Sequence, residues 1–140
     1  MMREIKCRGR DERGKWHHGY YVDGYMFDSM TGQAETVPFI VQAQLQGHER
    51  VVSETVGQFT GITDVYGNDI YEGDIVRIFV PNDSEEKEYI SKVYELDGAF
   101  TVDMVGYDIY TDVYCIGWIP EDYSVEVIGS IYENPEIIKN

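Results

Sequence analysis

The histidines are the first residues in this sequence to test as metal ligands. His17 and His18 are adjacent, and His48 lies far along the chain. Neighbouring side chains on a strand point to opposite faces, so this pair is not expected to hold one metal ion, even with Asp23 or Asp28 nearby. We therefore predict no metal-binding residue.

The cysteines and serines are the residues that could act as nucleophiles. Cys7 and Cys115 lie far apart, and neither has a CxxC partner or a nearby histidine. This pattern favours two buried thiols in a reducing compartment over a disulfide or a catalytic cysteine. Ser29, Ser53 and Ser91 occupy no GxSxG-like turn. We predict no catalytic residue.

Carboxylates are abundant enough to form clusters by chance, with 26 in 140 residues. Asp103, Asp108 and Asp112 have a spacing at which acid–base work can be imagined. Glu72 and Asp74 could hold a cation, but the pair lacks the ligand count of a calcium loop. The sequence has no P-loop and no GxGxxG motif, so we predict no cofactor and no cofactor-binding residue.

The net charge of -15 is unevenly distributed along the chain. Up to Lys15 there are six basic residues against three acidic ones, whereas the remainder has five basic and 23 acidic, a net of -18. Nucleic-acid affinity depends on neutralising phosphates, so binding to the acidic body is not expected. A basic protein is a more suitable partner. The carboxylates are also explained as a solvated face that keeps the chain soluble.

Length and composition predict one main β-structured body. The chain has 140 residues, 43% of them hydrophobic, and its 12 tyrosines with many Val and Ile suit half-buried strands. No apolar run is long enough to cross a bilayer and no signal peptide is evident, so we expect a cytoplasmic protein. Residues 28–46 are ambiguous: a short strand can be placed at 37–41, but Ala34 and residues 42–46 would also tolerate helix. Strand candidates are residues 2–7, 16–27 (as a strand pair or one bent strand), 74–80, 88–96, 99–105, 108–118 and 124–131.

Turn signals in the second half predict a small barrel or sandwich. Asp97-Gly98 is typical of a two-residue type I′ hairpin turn. We predict that residues 74–105 form a three-stranded antiparallel meander with turns at 81–86 and 97–98. Gly73-Asp74, ahead of an apolar strand, resembles the start of the first long strand in SH3-like barrels. We predict that Gly57 and Gly73 serve the fold and that Asp74 bonds nearby amides.

Three blocks, read together, resemble the YopX-like proteins of bacteriophages and prophages. Residues 2–8 (M-R-E-I-K-C-R) resemble the family's M-R-x-I-K-F-R opening, with Cys7 in place of the usual Phe. Residues 56–61 (V-G-Q-F-T-G), continuing through Asp64, Gly67 and residues 70–76 (I-Y-E-G-D-I-V), resemble its central signature. Residues 127–136 resemble its ending.

The resemblance implies a mostly β fold: a small SH3-like β-barrel at residues 56–140 with a short C-terminal segment, and an N-terminal β-rich extension at residues 1–55. It implies a phage or prophage gene of a Gram-positive host and no known enzyme activity. We expect a non-enzymatic accessory protein that binds protein, either itself or a basic host protein. The alternative is a nucleic-acid-associated protein, with a basic N-terminal arm or an acidic face that mimics DNA.

Self-association through the N-terminal segment is a further prediction. The basic residues up to Lys15 complement the acidic body, and the aromatic run at residues 16–27 could form the buried centre of an interface. A closed homo-oligomer would be the usual product. Packing of the same segment within its own chain explains the sequence equally well.

Overall fold

The structure is a computed structural model that describes residues 5–42 and 47–138. This described part contains twelve β-strands, short 3₁₀ helices and no α-helix, so the predicted mostly β class is confirmed. None of its helices has the length and apolarity that a membrane crossing requires.

The twelve strands of the described part follow one another along the chain. They are β1 (Cys7–Arg10), β2 (Trp16–Phe27), β3 (Ala34–Val41), β4 (His48–Arg50), β5 (Val52–Thr63), β6 (Asp69–Tyr71), β7 (Asp74–Phe79), β8 (Glu88–Lys92), β9 (Tyr94–Leu96), β10 (Ala99–Asp103), β11 (Val113–Cys115) and β12 (Ser124–Ser130). The 3₁₀ helices are Ile116–Trp118 and Pro135–Ile137.

Contacts divide the chain into two compact units, Met1–Phe59 and Thr60–Asn140. The first unit carries seven basic and eight acidic residues, a net of -1, and the second carries four basic and 18 acidic residues, a net of -14. The acidity of the chain is therefore a property of the second unit. The assignment of residues 1–55 and 56–140 to separate domains stays a prediction.

In the first unit, the strand order is β4-β3-β2-β1-β5, with antiparallel pairing of β1 to both β2 and β5. Val37, Ile40 and Val51 are buried. Because β1 is flanked on both sides, the basic N-terminal segment supplies an interior strand of the sheet.

In the second unit, two three-stranded sheets have the orders β12-β7-β8 and β11-β10-β9. The end of β5 forms a hairpin with β6. Apolar side chains from these strands and from the first 3₁₀ helix form one buried cluster: Ile70, Val76, Ile78, Val93, Val102, Met104 and Ile116. Alternation along β7 explains its part in this core, since Val76 and Ile78 point inward while Arg77 does not.

The predicted meander of residues 74–105 is only partly correct. β7 pairs with β8, and β9 pairs with β10 across Asp97-Gly98, where φ is +51° and +85° as a type I′ turn requires. The middle strand, however, is broken at Val93. Its two halves belong to different sheets: Val93 still bonds the start of β7, with its N–H donating to the Asp74 carbonyl at 2.8 Å, whereas Tyr94 pairs with Thr101 of β10.

Several other expectations can be compared with the structure. Residues 16–27 form one strand, and the ambiguous region contains the eight-residue strand β3. The strand predicted at 108–118 is wrong except for β11, because Ile116–Trp118 is a 3₁₀ helix. The strand at 124–131 is confirmed as β12. Positions 2–4 of the first predicted strand, and 43–46 of the possible helix, lie outside the described residues. The SH3-like barrel stays a prediction.

Candidate protein-binding surface

The most exposed apolar feature of the first unit is the hairpin formed by β2 and β3. Residues 20–27 of β2 pair with residues 34–41 of β3, from Tyr20 opposite Val41 to Phe27 opposite Ala34. Within the described residues, no other strand pairs with 20–27 or with 34–37. Residues 20–36 are called the ribbon below.

Both faces of the ribbon carry large apolar side chains in solvent. Tyr25 and Phe27, on one face, are 78% and 70% exposed, and Met30 in the turn is 94% exposed. Tyr20, Val22 and Met26 alternate with them on the other face and are also exposed. A two-stranded hairpin is marginally stable in water, and apolar patches of this kind mark interaction sites.

The turn of the ribbon is held by Asp28. Its Oδ1 accepts a hydrogen bond from the Met30 N–H at 2.8 Å, and its backbone carbonyl accepts one from the Gly32 N–H at 2.8 Å. With Asp23 and Glu35, this residue gives the ribbon three negative charges and no positive one. A surface that covers the ribbon should therefore be apolar and basic.

A basic segment lies in the same unit, in β1 and the turn that follows it, with Arg8 buried and Arg13 and Lys15 exposed. Residues 6–15 contain five basic and two acidic residues, a net of +3. The Lys6 ammonium lies 4.7 Å from the centre of the Phe59 ring, and the Arg8 guanidinium lies 4.3 Å from that of Trp16.

Asp11 organises that turn, and it explains the role of His17, one of the two adjacent histidines. Its Oδ1 accepts the N–H groups of Arg13 and Lys15 at 2.9 Å, and its Oδ2 bonds His17 Nε2 at 2.9 Å. The hydrogen bond from His17, followed by that from the Lys15 amide, lowers the pKa of the Asp11 carboxyl to about 2. His17 is buried and His18 exposed, as their alternation on a strand predicts.

In the second unit, the carboxylates that were weighed as acid–base or cation sites each have local partners. Asp74 Oδ2 accepts the Tyr71 N–H at 2.8 Å, so the predicted bond from Asp74 to a nearby amide is confirmed. Asp103 accepts the Tyr94 hydroxyl at 2.6 Å, and Asp108 and Asp112 accept loop amides. Among the described residues, no three His, Cys, Asp or Glu side chains form a group that could hold a metal ion.

Asp64 is a buried carboxylate with a structural task. It accepts N–H groups from Tyr66 and Asn68 in its own turn and from Val127 in β12, at 2.8–3.0 Å. Burial acts to raise the pKa of this carboxyl, but the hydrogen bonds outweigh it and the pKa is lowered. This residue therefore ties the β5–β6 turn to β12. Cys7 and Cys115, one in each unit, are not joined by a disulfide.

The sequence of this chain is similar to those of known proteins, and the similarity identifies its family. A family model described as YopX protein matches residues 14–139. The chain belongs to the YopX family. A curated relative, the SPbeta prophage-derived uncharacterized protein YopX of Bacillus subtilis, is 37% identical over 75 residues, which is 54% of this chain. That match spans about half the relative's own length, 54%.

Two solved structures share the YopX fold. The crystal structure of protein yopX from Bacillus subtilis has a TM-score of 0.58 at 23% identity and covers 99% of this chain and 98% of its own. That of protein EF1440 from Enterococcus faecalis has a TM-score of 0.55 at 20% identity and covers 99% and 100%. The resemblance inferred from the three sequence blocks is confirmed, and the chain is a YopX-like prophage protein.

Sequence reasoning named the aromatic run at residues 16–27 as a possible interface but did not predict that residues 20–36 form a hairpin exposed on both faces. The signal was present in residues 20–27, where apolar side chains occupy both odd and even positions instead of alternating with polar ones. That pattern is typical of a strand buried on both faces, yet here it lies in a hairpin exposed on both.

Proposed function

We propose that this YopX-family prophage protein acts by protein–protein binding rather than catalysis, and that one occupant of its binding surface is a second copy of the chain. The observation that carries the proposal is the ribbon. It exposes apolar side chains on both faces, and among the described residues the edge of residues 20–27 that faces away from β3 pairs with no strand.

Charge indicates where on the second copy the ribbon docks. The ribbon has a net of -3, and residues 6–15 have a net of +3. In this arrangement Tyr25 and Phe27 form the buried centre, and the exposed Arg13 and Lys15 of the other copy face the ribbon's carboxylates. If two copies dock reciprocally, the contact closes as a symmetric dimer.

Nucleic-acid binding by a basic N-terminal arm has less support. Described residues of that segment form β1, which pairs with β2 and β5, and the Arg10 Nε donates to the Gly14 carbonyl at 3.1 Å. Deleting residues 1–15 would remove an interior strand, so a truncated protein is a poor test of either idea. Point substitutions in the full chain are preferable.

The test compares the mass of the full chain with that of two double variants, measured by sedimentation velocity at micromolar concentration. Y25S with F27S removes the two most exposed aromatic groups of the ribbon. I109S with Y110S makes a similar change in a loop of the second unit, where these side chains are 90% and 88% exposed. We expect an oligomer for the full chain and the control, and a monomer for the ribbon variant.

Two results would overturn the proposal. One is a full-length chain that stays monomeric at micromolar concentration. The other is a ribbon variant that associates as strongly as the control. Circular dichroism of the ribbon variant checks that its fold is intact, which is expected because the substituted side chains are exposed.

A further inference from the structure

A shallow groove in the second unit is lined mostly by apolar side chains. It lies between the end of β5, the segment after β11 and the start of β12, and it has a volume of about 380 Å³. The lining residues are Ile62, Thr63, Asp64, Val65, Ile116, Gly117, Ile119, Pro120, Glu121, Tyr123 and Val125. Because the groove is open rather than enclosed, it suits a few side chains of an extended peptide better than a small molecule that must be buried on most sides.

Hydrogen-bonded turns fix one wall of the groove. In the 3₁₀ helix Ile116–Trp118, Ile116 packs in the core, and the Ile119 N–H donates to the Ile116 carbonyl at 3.4 Å. The next turn is closed by a bond from the Tyr123 N–H to the Pro120 carbonyl at 3.0 Å. The wall is therefore preorganised, which lowers the entropic cost of binding.

An exposed tryptophan stands beside this wall. Trp118 is 77% exposed, and both of its chain neighbours, Gly117 and Ile119, line the groove. Tryptophan is among the residues that contribute most to binding energy at protein interfaces. This exposed side chain is not part of the buried core cluster. It is therefore available to anchor a partner.

The charge of the groove specifies the partner. Among the described lining residues the ionisable carboxylates are Asp64, whose oxygens accept amide hydrogen bonds, and Glu121, which is exposed. Asp122 follows Glu121 in the chain, and the unit as a whole has a net charge of -14. An approaching segment should therefore be cationic.

We infer that this groove binds an extended, basic segment of a partner protein. An apolar side chain of that segment packs against Trp118 and the aliphatic lining, and an Arg or Lys pairs with Glu121. The surface and its occupant differ from those of the ribbon, so the inference stands or falls independently of self-association.

The experiment uses fluorescein-labelled synthetic peptides of about ten residues, long enough to span the groove in extended form. One alternates Leu with Arg, a second alternates Ser with Arg, and a third alternates Leu with Glu. Fluorescence anisotropy of each peptide is followed against the full chain. We expect binding of the Leu–Arg peptide, binding at least about tenfold weaker for Ser–Arg, and none for Leu–Glu.

Matched variants locate the site. W118A should weaken Leu–Arg binding about tenfold or more, whereas Y110A, which removes an aromatic group 88% exposed outside the groove, should not. E121K should weaken it severalfold, and E95K, the same change on the exposed face of β9, should have a much smaller effect.

Several outcomes would overturn the inference. They are equal binding of Leu–Arg and Ser–Arg, equal losses in the groove and control variants, or no Leu–Arg binding at about 1 mM, a concentration at which even weak peptide complexes form. Thermal unfolding of each variant is measured in parallel, and a groove variant counts only when its unfolding matches that of its control.

Discussion

Gly73 lies against the ring of Tyr132, so close that a β-carbon at position 73 would be 2.9 Å from the Tyr132 Cε2. The same glycine has φ of +92°, a conformation that other L-residues adopt only with strain. Its carbonyl accepts the Ile131 N–H at 2.9 Å and its N–H donates to the Val93 carbonyl at 2.8 Å. The prediction that this glycine serves the fold therefore has two separate physical grounds.

Substituting Gly73 should cost more stability than substituting a glycine with backbone strain alone. Gly98 has φ of +85° and open space around a β-carbon, so G98A should cost about 1 kcal/mol. G73A adds the displacement of Tyr132 and should exceed it, and G73V should cost still more. Urea unfolding measures the three free energies. Equal losses for G73A and G98A would show that the Tyr132 contact is unimportant.

Removing the Asp64 carboxylate should destabilise the second unit. D64A leaves the N–H groups of Asn68 and Val127, whose hydrogen bonds to this carboxylate are partly buried, without that acceptor, at a cost of about 1–3 kcal/mol. D83A is the matched control, because Asp83 caps an exposed turn through the Glu85 N–H at 3.1 Å. Chemical denaturation should show a clearly larger loss for D64A. A loss no greater than that of D83A would contradict the structural role.

The Asp11 carboxyl should titrate far below an ordinary aspartate. Its pKa in the folded chain is about 2, lowered first by the His17 hydrogen bond, against about 3.9 in an unfolded chain. Because the folded pKa is the lower one, its stabilising effect is present above about pH 4 and is lost as pH falls towards 2. Carbon-detected NMR of the carboxyl group measures the midpoint, and a value near 4 would refute this.

The D11N variant provides the control for that titration. It cannot ionise, so its stability should lack the part of the decline between about pH 4 and pH 2 that belongs to Asp11. Unfolding curves of the two proteins at several pH values should therefore converge as the solution becomes more acidic. Parallel curves across this range would contradict the assignment.

Self-association through the ribbon should depend on charge and on salt. E35K reverses one of the three ribbon carboxylates and should weaken association severalfold, while E54K, an exposed position of β5 outside the ribbon, should not. Raising the salt concentration to about 1 M, where the Debye length is about 3 Å, should also weaken it. Sedimentation equilibrium measures both effects. If neither E35K nor high salt changes the association constant, residues 6–15 do not have the proposed role.

Local sequence signals predicted the features that depend on neighbouring residues. The Asp97-Gly98 turn, the strand at β12 and the amide bond of Asp74 all follow from residue types within a few positions. The family was evident because its motifs lie in the same order and spacing. That Gly57 serves the fold stays a prediction. This buried residue of β5 lies opposite Arg8 of β1.

Features that depend on distant partners could not be read from the sequence. The middle strand of the predicted meander changes partner after Val93, which bonds the start of β7, because Tyr94 pairs instead with Thr101 of β10. The ribbon is exposed because β1 pairs only with residues 16–19 of β2 and β4 only with residues 39–41 of β3. The sequence of the ribbon itself does not indicate where the pairing with neighbouring strands stops. The turn between β1 and β2 brings Asp11 next to His17. The sequence had instead suggested Asp23 or Asp28 as the carboxylate near the histidine pair.

The break at Val93 also has a consequence for how the second unit opens. β8 and β9 are consecutive along the chain, yet they belong to different three-stranded sheets, and Val93 between them is 1% exposed. Separating the two sheets would strain this residue, because its hydrogen bonds hold it to Gly73 and Asp74 at the start of β7, while the next residue, Tyr94, pairs with β10. The slowest-exchanging amides of β7 and β10 should therefore share a single opening free energy in hydrogen exchange, as members of one cooperative folding unit.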